Sequence, residues 1–216
     1  MSKKEIIKRY IIFLLGLFAM SMGISLMVKA KLGTSPISSI PYVISLKITS
    51  VSLGTFTFIW NMILIAGQIF ILGKRFEKYQ LMQIPISVLF GFFVDLCKEM
   101  LYFVDPKTYI GSVFVLILGC FTLALGVSFT VLAEVVLNSG EGFVKAITIR
   151  TGQEFGIMKV AFDVSLVIIS IILGFVFFGK VTGVREGTVI AAVISGFIIR
   201  FFNRMLKPVI NRWIAE

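Results

Sequence analysis

The chain lacks histidine altogether and has only two cysteines among its 216 residues. Histidine is the commonest metal ligand and the usual proton acceptor near neutral pH, so its absence argues against a zinc site and a histidine-based catalytic triad. Cys97 and Cys120 lie inside apolar runs, where cysteine usually serves as a small buried side chain. The sequence also has neither a dinucleotide-binding glycine loop nor a Walker motif. We expect no enzymatic activity, no metal and no cofactor.

Charge is scarce as well. Charged residues make up 15% of the chain and hydrophobic residues 58%, and a water-soluble protein of this composition would expose large apolar patches. Residues 10–28 form a run of 19 residues without a charge. As a helix, such a run is about 28 Å long, which is enough to cross the hydrocarbon core of a bilayer. The predicted fold class is an all-α polytopic membrane protein.

Acidic residues are outnumbered by basic ones, 11 against 21, which gives a balance of +10. In a soluble protein this excess would suggest nucleic acid. Here the basic residues lie at predicted helix ends and in short loops, where they meet lipid headgroups. With the N-terminus in the cytoplasm, 14 of the 21 basic residues fall on the cytoplasmic side. We therefore expect both termini in the cytoplasm, and membrane lipids rather than nucleic acid as partners.

Apolar runs separated by polar connections predict six spanning helices. We place them at residues 8–31, 53–73, 81–103, 109–137, 157–178 and 187–202.

The connections after the first and fourth spans are long, and each contains a helix start. Thr34 or Ser35 before Pro36 gives an N-cap followed by proline at the first helical position. Ser139 offers a similar start, with Glu141 as an acid in the first turn. We predict short helices at residues 36–47 and 141–150. Each is too short to span, so it either lies at the membrane surface or is a re-entrant half-helix.

The first and fourth predicted spans carry nearly the same sequence. Residues 16–30 read GLFAMSMGISLMVKA and residues 119–133 read GCFTLALGVSFTVLA, with six of fifteen positions identical. Other equivalent positions, 102 to 105 residues apart, are Ser35 and Asn138, Gly54 and Gly156, Asn61 and Asp163, Gly91 and Gly196, and Asp95 and Arg200. The chain is predicted to consist of two copies of a three-helix unit, residues 1–103 and 104–216, within a single membrane domain.

Because three spans per copy is an odd number, the two copies must enter the membrane from opposite sides. The predicted halves are then related by a pseudo-two-fold axis in the membrane plane. Many transporters have this plan and bind substrate near the midplane, between the repeats. Gly16, Gly23, Gly119 and Gly126 share equivalent helix faces. We expect them to let helix backbones approach closely, the usual role of small residues in membranes.

Several stretches carry a family resemblance: GTSPISSIPYVIS, SLGTF, GEG, KVAFDVSLV, GVREGTVIAA and GFIIRFFN. In these stretches the sequence resembles the YczE/YyaS/YitT-like family of bacterial integral membrane proteins, and the YczE branch in particular. The resemblance covers nearly the whole chain. It implies a six-helix protein of the bacterial cytoplasmic membrane, with no catalytic residues to carry over and no assigned substrate.

Asp163 is a charge inside the fifth predicted span, where an isolated charge costs on the order of 2.5–3.5 kcal/mol. Its equivalent in the first copy is the polar Asn61. Two interpretations are open: the two polar groups face each other near the centre and bind a solute, or Asp163 pairs with Lys159 four residues earlier on the same helix face.

Glu141 stands between two glycines, which would let a ligand approach the backbone closely. The alternative is an acid that stabilises the first turn of the short helix. The corresponding part of the first copy holds Ser35, Ser38 and Ser39, whose hydroxyls could line a solute site or, for Ser35, cap the helix. Together with the pair above, these four residues form the predicted substrate-binding set.

Four other charged residues are candidate gate or ion-pair residues. Asp95 and Arg200 are equivalent positions of opposite sign, but they lie towards opposite ends of the bundle, and snorkelling of Arg200 to the interface is the simpler interpretation. Arg185 and Glu186 precede the sixth span, where Glu186 suits a helix N-terminus.

The predicted function is that of a small secondary transporter, which moves a small polar or zwitterionic solute across the cytoplasmic membrane by alternating access of its halves. One alternative is the substrate-binding membrane subunit of a vitamin-type importer, which has a similar size and helix number. Another is an accessory membrane protein without transport activity. The expected partners are membrane lipids, the solute and, in a homo-oligomer, further copies of the chain.

Overall fold

The structure, a computed structural model, describes residues 3–215, and within that range its regular elements are all helices, with no strand. The helices are α1 (Lys3–Ala30), α2 (Pro36–Lys47), α3 (Leu53–Leu72), α4 (Gln83–Met100), α5 (Tyr109–Ala133), α6 (Ser139–Thr151), α7 (Phe155–Phe178) and α8 (Glu186–Ala215). All but α2 and α6 are long and apolar enough to cross a membrane. The prediction of six spans and two short helices is confirmed.

The two short helices start inside the bundle. Each begins after an extended residue, Ser35 for α2 and Asn138 for α6. Their first turns are largely buried, whereas their last residues are exposed. Ile37 at the start of α2 packs directly on Gly140 at the start of α6. Neither helix therefore lies flat on the bundle surface, because the two N-termini meet in its interior.

The helices with the repeated sequence, α1 and α5, run antiparallel in close contact. A Cβ built on Gly126 would lie 2.6 Å from the carbonyl oxygen of Gly16, and one built on Gly23 would lie 2.8 Å from the carbonyl oxygen of Gly119. Any side chain at these positions would collide with the neighbouring backbone. The predicted packing role of the four glycines is confirmed.

Packing divides the helices into two groups. Helices α1, α5 and α8 pack mainly with one another and, together with α4, are called the α1 group, while α2, α3, α6 and α7 form the α3 group. Helix α4 packs on both α1 and α3. Buried hydroxyls join helices within each group: Ser25 Oγ donates to the carbonyl oxygen of Val94, and Ser39 Oγ lies 2.6 Å from Ser170 Oγ. The most extensive contact between the groups is that of α3 with α4.

Three predicted boundaries are wrong by four residues or more. The first span begins at Lys3 rather than at residue 8. The fourth span ends at Ala133 rather than at residue 137, because Glu134 adopts a left-handed conformation with φ of 52°. The sixth span continues well past residue 202, to the end of α8. Its charged residues beyond 202 resemble the end of a span, but Ile210 and Ile214 in the same stretch are buried against the first half of α1.

Candidate functional site

A cavity of about 1090 Å³ lies between the α1 group and the α3 group. It is bordered by all six spanning helices and by the first turns of α2 and α6, and most of its lining residues are apolar. The polar lining residues come mainly from the short helices, α3, α4 and the first half of α7. Because a helix N-terminus carries partial positive charge, the two short helices create a region that favours an anionic group.

A charged cluster forms one wall of the cavity. Lys159 and Asp163, one turn apart on α7, make an ion pair of 2.6 Å, with side chains 32% and 21% exposed. Glu141 of α6, outside the spanning helices, interacts electrostatically with both. Burial raises the pKa of the Glu141 carboxyl, and the charge of Lys159 opposes that rise. One cation and two carboxyl groups thus meet here, and within residues 3–215 no metal-binding cluster of His, Cys, Asp or Glu is found.

Asn61 borders the same cavity from α3. Its Oδ1 accepts a hydrogen bond of 2.7 Å from Ser139 Oγ, which holds the start of α6 against α3. Of the two interpretations of Asp163, the ion pair with Lys159 is formed, and the carboxylate also lies at the cavity that Asn61 lines.

The three predicted serines have different surroundings. Ser35 and Ser38 line the cavity, and Ser35 Oγ donates to Ser38 Oγ at 3.1 Å. Ser35 occupies the N-cap position of α2, yet its side chain makes no capping bond. Ser39 points away from the cavity, where its hydroxyl bonds to the Pro36 carbonyl and to Ser170, each at 2.6 Å.

Ser39→Ala is expected to lower the free energy of unfolding by about 1 kcal/mol, because Ser170 loses a buried hydrogen-bond partner. Solute binding should be unchanged. The matched variant Ser38→Ala should weaken solute binding and leave the free energy of unfolding nearly unchanged, since Ser38 faces the cavity. Melting temperature in detergent and a binding isotherm check both, and weaker binding by Ser39→Ala than by Ser38→Ala would contradict this assignment.

Of the four candidate gate residues, Arg200 borders the cavity and the other three do not. Arg185 and Glu186 pair with each other at 3.0 Å at the start of α8, and Arg185 also donates to the Lys31 carbonyl. Asp95 accepts hydrogen bonds from the start of α3. Asp95 and Arg200 are therefore engaged separately and not with each other.

Sequence reasoning missed a buried amide pair beside the cavity. Gln68 and Gln83 exchange hydrogen bonds of 3.0 and 3.2 Å, and Gln68 also donates to the Ser139 carbonyl at 3.1 Å. Gln83 lines the cavity. The sequence did carry a signal for this pair: one glutamine lies within an apolar span and another at the start of the next. A buried amide needs a hydrogen-bond partner, and the second glutamine can provide it.

Similarity to known proteins extends along nearly the full length of the chain. The model of a family of unknown function, DUF6198, matches residues 7–204. The chain belongs to this family. It is also 26% identical over 217 residues to the uncharacterized membrane protein YczE of Bacillus subtilis (strain 168), covering 99% of this chain and 94% of that protein. No solved structure matches the chain. The resemblance to the YczE branch is confirmed, and the chain is a membrane protein.

Proposed function

We propose that the chain is a small secondary transporter of the cytoplasmic membrane, with both termini inside, which moves a small zwitterionic solute by alternating access. The observation that carries the proposal is the cavity between the helix groups, where the starts of both short helices meet a cluster of charged residues. Sites formed by half-helix N-termini at the centre of an inverted-repeat bundle are typical of secondary transporters.

Reciprocal contacts support the inverted-repeat part of the proposal. Ser25 Oγ donates to the Val94 carbonyl at 3.2 Å, and at the equivalent positions Ser128 Oγ donates to the Ile199 carbonyl at 3.4 Å. The glycine contacts between α1 and α5 also occur as an equivalent pair. A two-fold axis produces such pairs, because each contact in one copy recurs between the equivalent residues of the other copy.

The lining chemistry suits a zwitterion with an apolar body. Lys159 and the N-termini of α2 and α6 would stabilise an anionic group, and Asp163 and Glu141 would accept hydrogen bonds from an ammonium group. The apolar wall would enclose the remainder of the solute. A solute with both charges can replace the attraction lost when Lys159 and Asp163 separate, whereas an ion of one sign replaces only half of it.

Asp163→Asn is expected to reduce solute uptake into liposomes at least about tenfold, because it removes a charge-assisted contact with the ammonium group. Counterflow with amino acids, whose ammonium group can donate hydrogen bonds, is the assay. Asp105→Asn is the matched control. Asp105 also pairs with a lysine, Lys31 at 2.7 Å, but lies in an exposed connection, where Lys107 and Lys31 lower its pKa to about 2.

Equal uptake by the two variants would remove Asp163 from the site. If the wild-type chain binds a solute saturably but shows no counterflow, the proposed transporter is wrong and the chain is the substrate-binding subunit of an importer. If the chain neither binds nor takes up any solute, the accessory protein becomes the favoured alternative.

A further inference from the structure

Helices α3 and α4 pack closely beside the cavity. Gly54 and Gly91 bring the two backbones together, since a Cβ built on Gly91 would lie 2.7 Å from the carbonyl oxygen of Gly54. Asp95 of α4 accepts hydrogen bonds from the backbone N–H of Gly54 at 2.7 Å and from Ser52 Oγ at 2.5 Å. The start of α3 is thus fastened to α4 by a glycine contact and a carboxylate.

The equivalent place between α7 and α8 is open. Gly156 and Gly196 correspond to Gly54 and Gly91, yet both line the cavity. A Cβ built on Gly196 would meet nothing within 4 Å, and the nearest atom to one on Gly156 would be Glu154 Oε1 at 3.7 Å. Gly54 and Gly91 are therefore in close contact in the first half, whereas the equivalent Gly156 and Gly196 have unfilled space around them.

Glu154 and Arg200 occupy the positions that correspond to Ser52 and Asp95. Ser52 and Glu154 are the residues immediately before α3 and α7, 102 positions apart like the first glycine of each pair. Glu154 and Arg200 are both exposed and line the cavity. Arg200 lies over the Phe197 ring and donates to its own helix backbone, and it is not bonded to Glu154.

The two places have matching chemistry with donor and acceptor exchanged. Where α3 meets α4, a carboxylate on the second helix accepts from groups at the start of the first. Between α7 and α8, the carboxylate of Glu154 stands at the start of the first helix, and the guanidinium of Arg200 is on the second. If α7 met α8 as α3 meets α4, Glu154 and Arg200 would come together in a charge-assisted hydrogen bond.

We propose that α7 and α8 close over the cavity in a second state, in which Gly156 contacts Gly196 and Glu154 pairs with Arg200. This inference rests on the proposed function and supplies its second access state. The structure is then the state that is closed between α3 and α4 and open between α7 and α8. Rocking of the α3 group against the α1 group exchanges the two contacts, because each contact joins one helix from each group.

The test is a disulfide between Glu154→Cys and Arg200→Cys, in a chain whose two buried native cysteines are replaced with alanine. Oxidation in liposomes should join the two thiols, read as a shift in gel mobility. Adding Gly196→Leu should reduce the yield at least about tenfold, because leucine overpacks the closed contact. In the open state the Cβ of that leucine would meet nothing within 4 Å.

Two results would overturn the proposal, provided the melting temperatures show folded protein. If no disulfide forms, the helices do not meet. If the yield is the same with and without Gly196→Leu, the thiols are already adjacent in the open state. The assay needs no solute, so a leucine-sensitive disulfide in a chain that takes up no solute would refute the proposed transport and leave the closed state standing.

Exchanging the charges tests the ion pair itself. In the uptake assay, Glu154→Arg should reduce the rate at least about tenfold, because two guanidinium groups would then oppose each other in the closed state. Glu154→Arg/Arg200→Glu should restore it. A double variant as slow as the single one would remove the pair from the closed contact.

Discussion

Gly126→Ala is expected to lower the free energy of unfolding by about 3 kcal/mol, because the added methyl group overpacks a contact between two helix backbones. A Cβ at this position would lie 2.6 Å from the carbonyl oxygen of Gly16 and closer still to the backbone nitrogen of Met20. Backbone atoms cannot turn aside as a flexible side chain can, so α1 and α5 must separate. Unfolding of the detergent-solubilised chain by added denaturing detergent measures the loss.

Gly196→Ala is the matched control for this prediction. It makes the same substitution within a spanning helix, but its Cβ would meet nothing within 4 Å. Alanine favours a helix over glycine by up to about 1 kcal/mol, so stability should be unchanged or slightly higher. A similar loss in both variants would mean that the loss in Gly126→Ala does not come from the α1–α5 contact.

Lys159→Met is expected to lower the free energy of unfolding by about 2–3 kcal/mol. It leaves Asp163 without its ion-pair partner, beside Glu141, with which the carboxylate interacts unfavourably. Asp163 and Glu141 would then lose the cation with which both interact. The measurement is the same denaturing-detergent titration, at neutral pH.

Lys159→Met/Asp163→Asn should recover most of that loss, because removing both charges leaves neither one uncompensated. The pair between Lys31 and Asp105 is the control: its side chains are 66% and 43% exposed, so Lys31→Met should change stability little. If the double variant is as unstable as Lys159→Met alone, the loss comes from the lysine stem rather than from the charge.

The spanning helices and the α1–α5 contact could be predicted because each depends on a local property of the sequence. Residues 10–28 exceed the length of a buried soluble helix, and the glycines of the repeated segment share one helix face. Small residues on one face have few uses in a membrane other than close packing. The same reasoning identified Asp163 as a polar group that needs a partner, and Lys159 is that partner.

The end of α8 and the opening between α7 and α8 could not be predicted in this way. Charges such as Arg204 and Lys207 resemble the end of a span, and only the fold shows that Ile210 and Ile214 have a surface on α1 to cover. Gly156 and Gly196 repeat the pattern of the first copy, so the sequence predicts equivalent contacts in both halves. Which of two equivalent contacts is formed is a property of a state, and periodicity does not encode it.

The division into an α1 group and an α3 group also bears on the four connections that pass between the groups, after α1, α3, α5 and α7. Each contains at least one residue with positive φ: Lys31 and Gly33, Gly73, Glu134, and Gly179 and Gly183. The connections after α2 and α4, which stay within a group, contain none, and Gly152 after α6 is the exception.

Lys31 and Glu134 hold this conformation without being glycine, and they are equivalent positions 103 residues apart. Sharp reversals are places where a few backbone torsions can absorb a large rotation. In the proposed transport cycle, these four connections would be the hinges between the two helix groups. Stiffening one of them would then slow the proposed exchange of states while leaving the affinity for the proposed solute intact.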